Sequence, residues 1–293
     1  IFFYKRRHQK YVLKDYDGAI QDYTEALHIN PQYVDAYNNR GNVKYEKQDF
    51  DGAIQDYTEA LRLNPQYATA YNNRGLAKEK KGDFDGAIQD YTEALHLDPQ
   101  FTTAYNNRGG VKCAKGDFDG AIQDFNGAIQ FNPQYVNAYD NRGNAKCAKG
   151  DFEGAIQDFT KAIRLNPQFE NAYINRGNTK GKKGDFDGAI QDFNVAIQLD
   201  PQDSDAYYNR GNAKYEKRDF DGAIQDFNVA IQLNPQDSDA YYNRGNAKYK
   251  KGDRKGAKED FSIFFKRTEN ISDPQIVQKR QSIFKQFPEL KEK

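Results

Sequence analysis

The sequence predicts an all-α solenoid of 34-residue helix–turn–helix units, and three observations predict it. Asn-Arg-Gly recurs at Asn39–Gly41, Asn73–Gly75, Asn107–Gly109, Asn141–Gly143, Asn175–Gly177, Asn209–Gly211 and Asn243–Gly245, always 34 residues apart. Asn-Pro or Asp-Pro keeps the same step from Asn30-Pro31 to Asn234-Pro235. Between these markers lie two segments with one-sided apolar stripes at the helical period. Repetition at a period of about 20–50 residues sets the architecture, because each unit buries its apolar face only against its neighbours.

Val34–Tyr67 serves as the type unit. Asp35–Gln48 reads as its first helix, with Ala36 and Tyr37 opening the apolar side. Gly41 lies one turn on, and a helix-interior Gly costs about 1 kcal/mol against Ala. A large aromatic side chain of the neighbouring helix is therefore expected to press on the backbone there. The helix stops near Lys47-Gln48, a place that is Lys-Gly in most units, as at Lys81-Gly82; Gly suits a left-handed C-terminal stop. Asp51–Leu63 reads as the second helix, with Ala53, Ile54, Tyr57, Ala60 and Leu61 on one stripe. Asp49 or Asp51 supplies its N-terminal cap, which also suits the helix dipole. Asn64-Pro65 ends it, since the residue before Pro is pushed out of the helical region.

Tyr37, Gly41, Ala53, Tyr57, Ala60 and Pro65 fit aromatic-x2-apolar-Gly-x2-Tyr followed by Ala-x3-aromatic-x2-Ala and Pro. The unit thus resembles the tetratricopeptide repeat, over nearly the whole chain. The resemblance implies a right-handed α-solenoid superhelix whose first helices line a concave surface. Two departures recur in every full unit: Arg40 stands at the apolar place and Lys44 at the usual Tyr, through Arg244 and Lys248. The expected organisation is a degenerate N-terminal unit (1–33), six regular units (34–237), an atypical last unit (238–271) and a C-terminal capping helix and tail (272–293). The first unit's first helix is irregular, with Lys5-Arg6-Arg7 where Asn-Arg-Gly should stand. The capping helix is expected near Gln275–Phe287. Terminal units must close the core against water.

Composition narrows the function classes. Lys plus Arg equals Asp plus Glu at 43 each, so the net charge is zero and no bulk attraction to nucleic acid or an anionic membrane is expected. Hydrophobic residues make up only 37% of the chain, but aromatics at 14% argue for a packed fold. No apolar run approaches the roughly 20 residues that span a bilayer. The chain has no Met and reads as a fragment or processed form. Cys113 and Cys147 occupy equivalent places in consecutive units. They read as unpaired thiols, because adjacent helices lie about 8–10 Å apart and a disulfide needs a Cα separation under about 7 Å. His28 and His96 stand where other units carry Arg62, Gln130 and Arg164, the pattern of a solvated site. No catalytic residue, metal site or cofactor is expected, and the chain does not read as an enzyme.

Two recurrent polar residues remain. Arg40 and its equivalents need partners if buried, and an acid recurs in step at Asp56, Asp90, Asp124, Asp158, Asp192, Asp226 and Asp260. The expectation is a structural pair of Arg40 with Asp56 or with the acid of an adjoining unit; the alternative is an arginine ladder gripping an acidic ligand. Asn39, Asn73, Asn107, Asn141, Asn175, Asn209 and Asn243 never vary. Their place is similar to the asparagine ladder in the repeat domain of the O-linked N-acetylglucosamine transferase, which implies that they hold an extended peptide backbone. A carboxamide carries donor and acceptor side by side, and units about 10 Å apart meet a chain rising about 3.3 Å per residue. The competing reading has each Asn bonding the neighbouring helix and fixing the stack. Tyr208, Tyr215, Tyr242 and Tyr249 make the C-terminal end aromatic and are expected to anchor the peptide. The carboxylate clamp of the co-chaperone subset is not expected, since Asn38, Thr103 and Asn107 stand at its basic places.

The sequence therefore predicts a non-catalytic scaffold that binds a protein or extended peptide, with no nucleic acid and no membrane partner. Two alternatives stay open. One is the regulatory or substrate-presenting arm of a larger enzyme, for example a glycosyltransferase. The other is a self-assembling repeat protein whose near-identical units stack end to end.

Overall fold

The structure, a computed structural model, describes residues 15–290. The irregular first helix expected around Lys5-Arg6-Arg7 lies outside these residues. Among the described residues sixteen α-helices follow one another without a strand. Each repeat pairs a first helix, A, with a second, B. The first compact unit of the chain ends at Asp151. It holds the B helix Tyr16–Ile29, the A/B pairs Val34–Glu46 with Phe50–Leu63, Ala68–Lys80 with Phe84–Leu97, and Thr102–Ala114 with Phe118–Phe131, and the A helix Val136–Ala148. The second unit begins at Phe152. It holds the B helix Phe152–Leu165, the pairs Glu170–Lys182 with Phe186–Leu199, Ser204–Glu216 with Phe220–Leu233, and Ser238–Lys251 with Arg254–Thr268, and the C-terminal helix Pro274–Gln286.

The boundaries follow local chemistry. The side chain of Asp49, not Asp51, caps its B helix by accepting from the Gly52 N–H at 2.9 Å, so that helix starts at Phe50. Asn64 leaves the helix in an extended conformation, and its Oδ1 accepts the Gln66 N–H at 3.1 Å. Asp98 does the same for Gln100, which explains why this place alternates between Asn and Asp: either supplies the side-chain acceptor of the turn. The C-terminal helix starts at Pro274 because a first-turn position needs no N–H.

The A helices end one residue or more before the expected stop because the turn residue is left-handed. Gly82, Gly116, Gly150, Gly184 and Gly252 take φ between 81° and 95° there, and Gln48 and Arg218 are held at φ 64° and 63°. A non-Gly residue in this region costs roughly 1–2 kcal/mol, part of which the conformational entropy of Gly takes back. Gln48→Gly and Arg218→Gly are each expected to stabilise their repeat by about 0.5–1 kcal/mol, read as slower amide exchange in Val34–Glu46 and Ser204–Glu216.

The mid-helix glycines meet the aromatics expected of them. A Cβ on Gly41 would lie 2.7 Å from Cε1 of Tyr57, and Gly75 faces Tyr91, Gly109 Phe125, Gly177 Phe193, Gly211 Phe227 and Gly245 Phe261 in the same way. Each core is a small cluster of these rings and small side chains, such as Ala121, Phe125 and Ala145, all fully or almost fully buried. The last repeat closes differently: Phe261, Phe264, Ile283 and Phe287 form a cluster with the C-terminal helix.

Candidate binding face of the A helices

The two systematic departures converge on one carboxylate. Arg40 donates from Nε and Nη2 to Asp56 at 2.9 and 2.6 Å, and Lys44 Nζ lies 2.8 Å from the same carboxylate. The arrangement repeats at Arg74–Asp90–Lys78, Arg108–Asp124–Lys112, Arg176–Asp192–Lys180, Arg210–Asp226–Lys214 and Arg244–Asp260–Lys248. The aspartates are buried, with Asp124 3% exposed. Each Arg also reaches the preceding repeat: Arg108 Nη1 donates to Thr92 Oγ1 at 3.0 Å and Arg210 Nη1 to Asn194 Oδ1 at 2.7 Å. The guanidinium thus ties its A helix to two B helices, with its flank over the ring of the Tyr three residues before, as Arg108 over Tyr105 at 5.9 Å. These donors serve the stack, so the arginines are structural and not an acid-gripping ladder. A second, exposed series was not expected: Lys47 pairs with Asp17, Lys81 with Asp51, Lys115 with Asp85 and Lys217 with Asp187. The signal was present, since these residues also recur every 34.

The seven asparagines of the candidate ladder all lie on A helices, half-buried, at one register position. The amides of four reach the preceding A helix. Asn73 Nδ2 donates to Asn38 and Asn42 at 3.3 and 3.1 Å, Asn107 to Asn72 at 3.1 Å and Asn141 to Asn106 at 2.9 Å. Asn243 donates to the Tyr208 hydroxyl at 2.9 Å and to Asn212 at 2.8 Å. The side chains one place before the ladder, expected to flank a groove, are therefore acceptors within the stack, and Asn38 and Asn72 are buried. Among the described residues the Oδ1 atoms of Asn107, Asn141 and Asn243 accept no hydrogen bond. At Asn209 the series breaks. The residue that should receive its amide is Ile174, which has no acceptor on its side chain, and Asn209 makes no side-chain hydrogen bond among the described residues.

The four tyrosines separate into two pairs. Tyr242 and Tyr249 were expected to anchor a ligand, but they seat the C-terminal helix. Tyr249 meets Phe287 at 5.6 Å between ring centres, Tyr242 meets Phe264 at 5.2 Å, and Lys279 Nζ sits 5.2 Å above the Tyr242 ring. The last repeat has no following unit, so the cap takes that contact. Tyr208 and Tyr215 remain half-buried on the A-helix face, leaning on Phe227 and Phe220 at 5.9 and 5.5 Å. Burial, with Asp239 and Asp237 nearby, pushes the Tyr208 phenol up, and burial with Glu216 pushes Tyr215 up. Both therefore keep their protons at neutral pH. Burial, then Asp117, also raises the Cys113 thiol; neither Cys113 nor Cys147 forms a disulfide. His28 and His96 are exposed. Among the described residues no acid, His and Cys cluster could hold a metal, and no helix is long and apolar enough to cross a membrane.

A tandem array of A/B helix pairs, with A helices joined by side-chain amides and B helices bridged by arginine, defines an all-α repeat protein. The family description "TPR repeat" matches residues 9–48, 41–82, 109–146, 143–184, 181–218 and 211–252, and "Tetratricopeptide repeat" matches 68–101. The chain belongs to the tetratricopeptide repeat family. No curated protein sequence matches it. Among solved structures it is similar to a tetratricopeptide repeat protein from Parabacteroides merdae, at 21% identity and a TM-score of 0.67, covering 85% of this chain and 97% of that one. It is also similar to the MamA protein, at 28% identity and a TM-score of 0.53, over 59% of this chain and 94% of that one. A third likeness is to YrrB, described as a TPR protein with an unusual peptide-binding site, at 24% identity and 0.53, over 63% and 95%. The family matches end at 252, before the last B helix and its cap, where the Asn-Pro marker also lapses.

Proposed function

We propose that the chain is a protein-interaction scaffold that holds an extended peptide segment along its A helices through the asparagine ladder. The observation that carries this is the divided use of three carboxamides: Nδ2 of Asn107, Asn141 and Asn243 is tied to the neighbouring A helix, while their Oδ1 atoms accept no hydrogen bond among the described residues. The stack thereby fixes each side chain and leaves one acceptor for a peptide N–H. The sequence-level picture of both amide groups pairing with the ligand gives way to one bond per repeat. With repeats about 10 Å apart and about 3.3 Å of rise per residue, one Asn serves roughly every third peptide residue and reads no side chain. Selectivity then falls to the places that vary between repeats, where Tyr45, Glu79, Cys113, Cys147, Gly181, Tyr215 and Tyr249 stand.

Panning a phage-displayed library of random 12-residue peptides tests the reading. Wild type should enrich a set of peptides, and the Asn107→Ala, Asn141→Ala, Asn175→Ala variant should bind that set at least about tenfold more weakly. Three hydrogen bonds at roughly 0.5–1.5 kcal/mol each set that scale. Equal binding by a triple variant of unchanged helicity sinks the ladder.

A further inference from the structure

The junction of the sixth and seventh repeats carries a cavity of about 440 Å³ whose lining includes Gly181, Phe186, Ala189, Phe193, Asn209 and Ala213. The equivalent place between the second and third repeats encloses only about 240 Å³, and there Tyr45 is part of the lining while Phe50 is not. One difference between the two linings is that Gly181 stands where Tyr45 and Tyr215 stand. In those repeats the tyrosine ring meets the first phenylalanine of the B helix edge-on, Tyr45 against Phe50 at 5.4 Å and Tyr215 against Phe220 at 5.5 Å. Phe186 is the equivalent phenylalanine, and at Gly181 it has no such ring over it. A Cβ built on Gly181 meets nothing within 4 Å.

A second observation points into the same space. Asn209 lines the cavity and makes no side-chain hydrogen bond among the described residues, since Ile174 stands where Asn107, Asn141 and Asn243 find an acceptor. Here donor and acceptor of one half-buried carboxamide are both open, beside an aromatic floor that lacks its partner ring. At Asn107, Asn141 and Asn243 the amide is spent on the preceding A helix, and at Phe50 and Phe220 the floor is covered by a tyrosine ring.

We infer that this cavity is a subsite for an aromatic side chain of the bound segment. The ring would lie edge-on to Phe186 as Tyr215 lies to Phe220, and Asn209 would pair with both backbone groups of that residue. The chain's own tyrosines show which shape fills the place: a single six-membered ring on a one-carbon stem, with room left by the full depth of the missing side chain. Edge-to-face ring pairs strengthen association beyond the area they bury, and an aliphatic side chain would forgo that. The inference rests on the peptide-binding reading for its ligand class, but its test does not pass through the rest of the ladder.

The probe is N-acetyl-phenylalaninamide, titrated into the whole chain with the methyl groups of Ala189 and Ala213 followed by NMR, against N-acetyl-leucinamide. Saturable shifts are expected with the phenylalanine amide, binding weaker by about 2- to 10-fold with the leucine amide, and loss of the site in Gly181→Tyr. That substitution restores the side chain borne by Tyr45 and Tyr215, so the variant keeps the fold. The Asn107→Ala, Asn141→Ala, Asn175→Ala variant should bind the probe as wild type does. Absence of saturable shifts at both methyls, equal binding of the leucine amide, or undiminished binding by Gly181→Tyr overturns the subsite. Failure of the ladder variant to lose library peptides, with the probe still bound, would strike the ladder alone.

Discussion

Asp124→Asn is expected to cost the fourth repeat about 2–4 kcal/mol. The substitution keeps the shape and leaves Arg108 and Lys112 facing each other without their common anion. Removing one partner of a buried ion pair costs about 3–5 kcal/mol; the range is lower here because Arg108 and Lys112 keep 17% and 20% of their side chains in water. Arg108→Leu should cost less, about 1–2 kcal/mol, because Asp124 retains Lys112 at 2.7 Å and Thr92 still donates to the Ile88 carbonyl. The triple change Arg108→Leu, Lys112→Tyr, Asp124→Leu restores the family's apolar and Tyr places. It should be nearly neutral, since replacing a whole buried ionic group by packed apolar residues often is. Repeat arrays do not unfold in one step, so the measurement is amide exchange in Thr102–Ala114 and Phe118–Phe131, which reports local opening. Protection in Asp124→Asn equal to wild type would refute the pairing as a source of stability.

Some of this was legible in the sequence because the relevant partners share one period and one neighbourhood. Gly41 and Tyr57, or Arg40 and Asp56, lie a fixed 16 residues apart across a single helical hairpin, and the hairpin geometry follows from the repeat itself. The second cation was not assigned. Lys44 recurs as faithfully as Arg40, but Asp51 and Asp56 are both periodic acids, and spacing alone does not divide two acids between two lysines. The structure gives Asp56 to Lys44 and Asp51 to Lys81 of the next repeat. The asparagine bonds were harder still. Whether Asn107 meets Asn72 depends on the lateral register of two A helices from different repeats, which the 34-residue step leaves free. The cap contacts of Tyr242 and Tyr249 were hidden for a related reason: repeats predict a repeat's neighbours, and at the C-terminal end the neighbour is a helix that does not follow the pattern. The open place at Gly181 was visible only as a variable position. Its meaning required the ring contacts of Tyr45 and Tyr215 for comparison.

Gly109→Ala and Gly110→Ala, one residue apart on the same helix, are expected to shift stability in opposite directions. Alanine in a helix interior gains about 1 kcal/mol over glycine at either place. At Gly110 nothing lies within 4 Å of the new methyl, so the gain is kept and stability rises by up to about 1 kcal/mol. At Gly109 the methyl would fall 2.7 Å from Cε1 and 2.9 Å from Cζ of Phe125. That ring is fully buried and clustered with Ala121 and Ala145, so it has no space into which to retreat. Overpacking of this kind costs about 1–3 kcal/mol, against a helical gain of about 1 kcal/mol. A net loss of up to about 2 kcal/mol follows, read as faster amide exchange in Phe118–Phe131. The clash is specific to the ring, which a double-mutant cycle can isolate. In a Phe125→Leu background the cavity left by the ring accepts the methyl, and Gly109→Ala should become neutral or stabilising. A loss of the same size in both backgrounds would show that the glycine is required by its backbone and not by the aromatic packed against it.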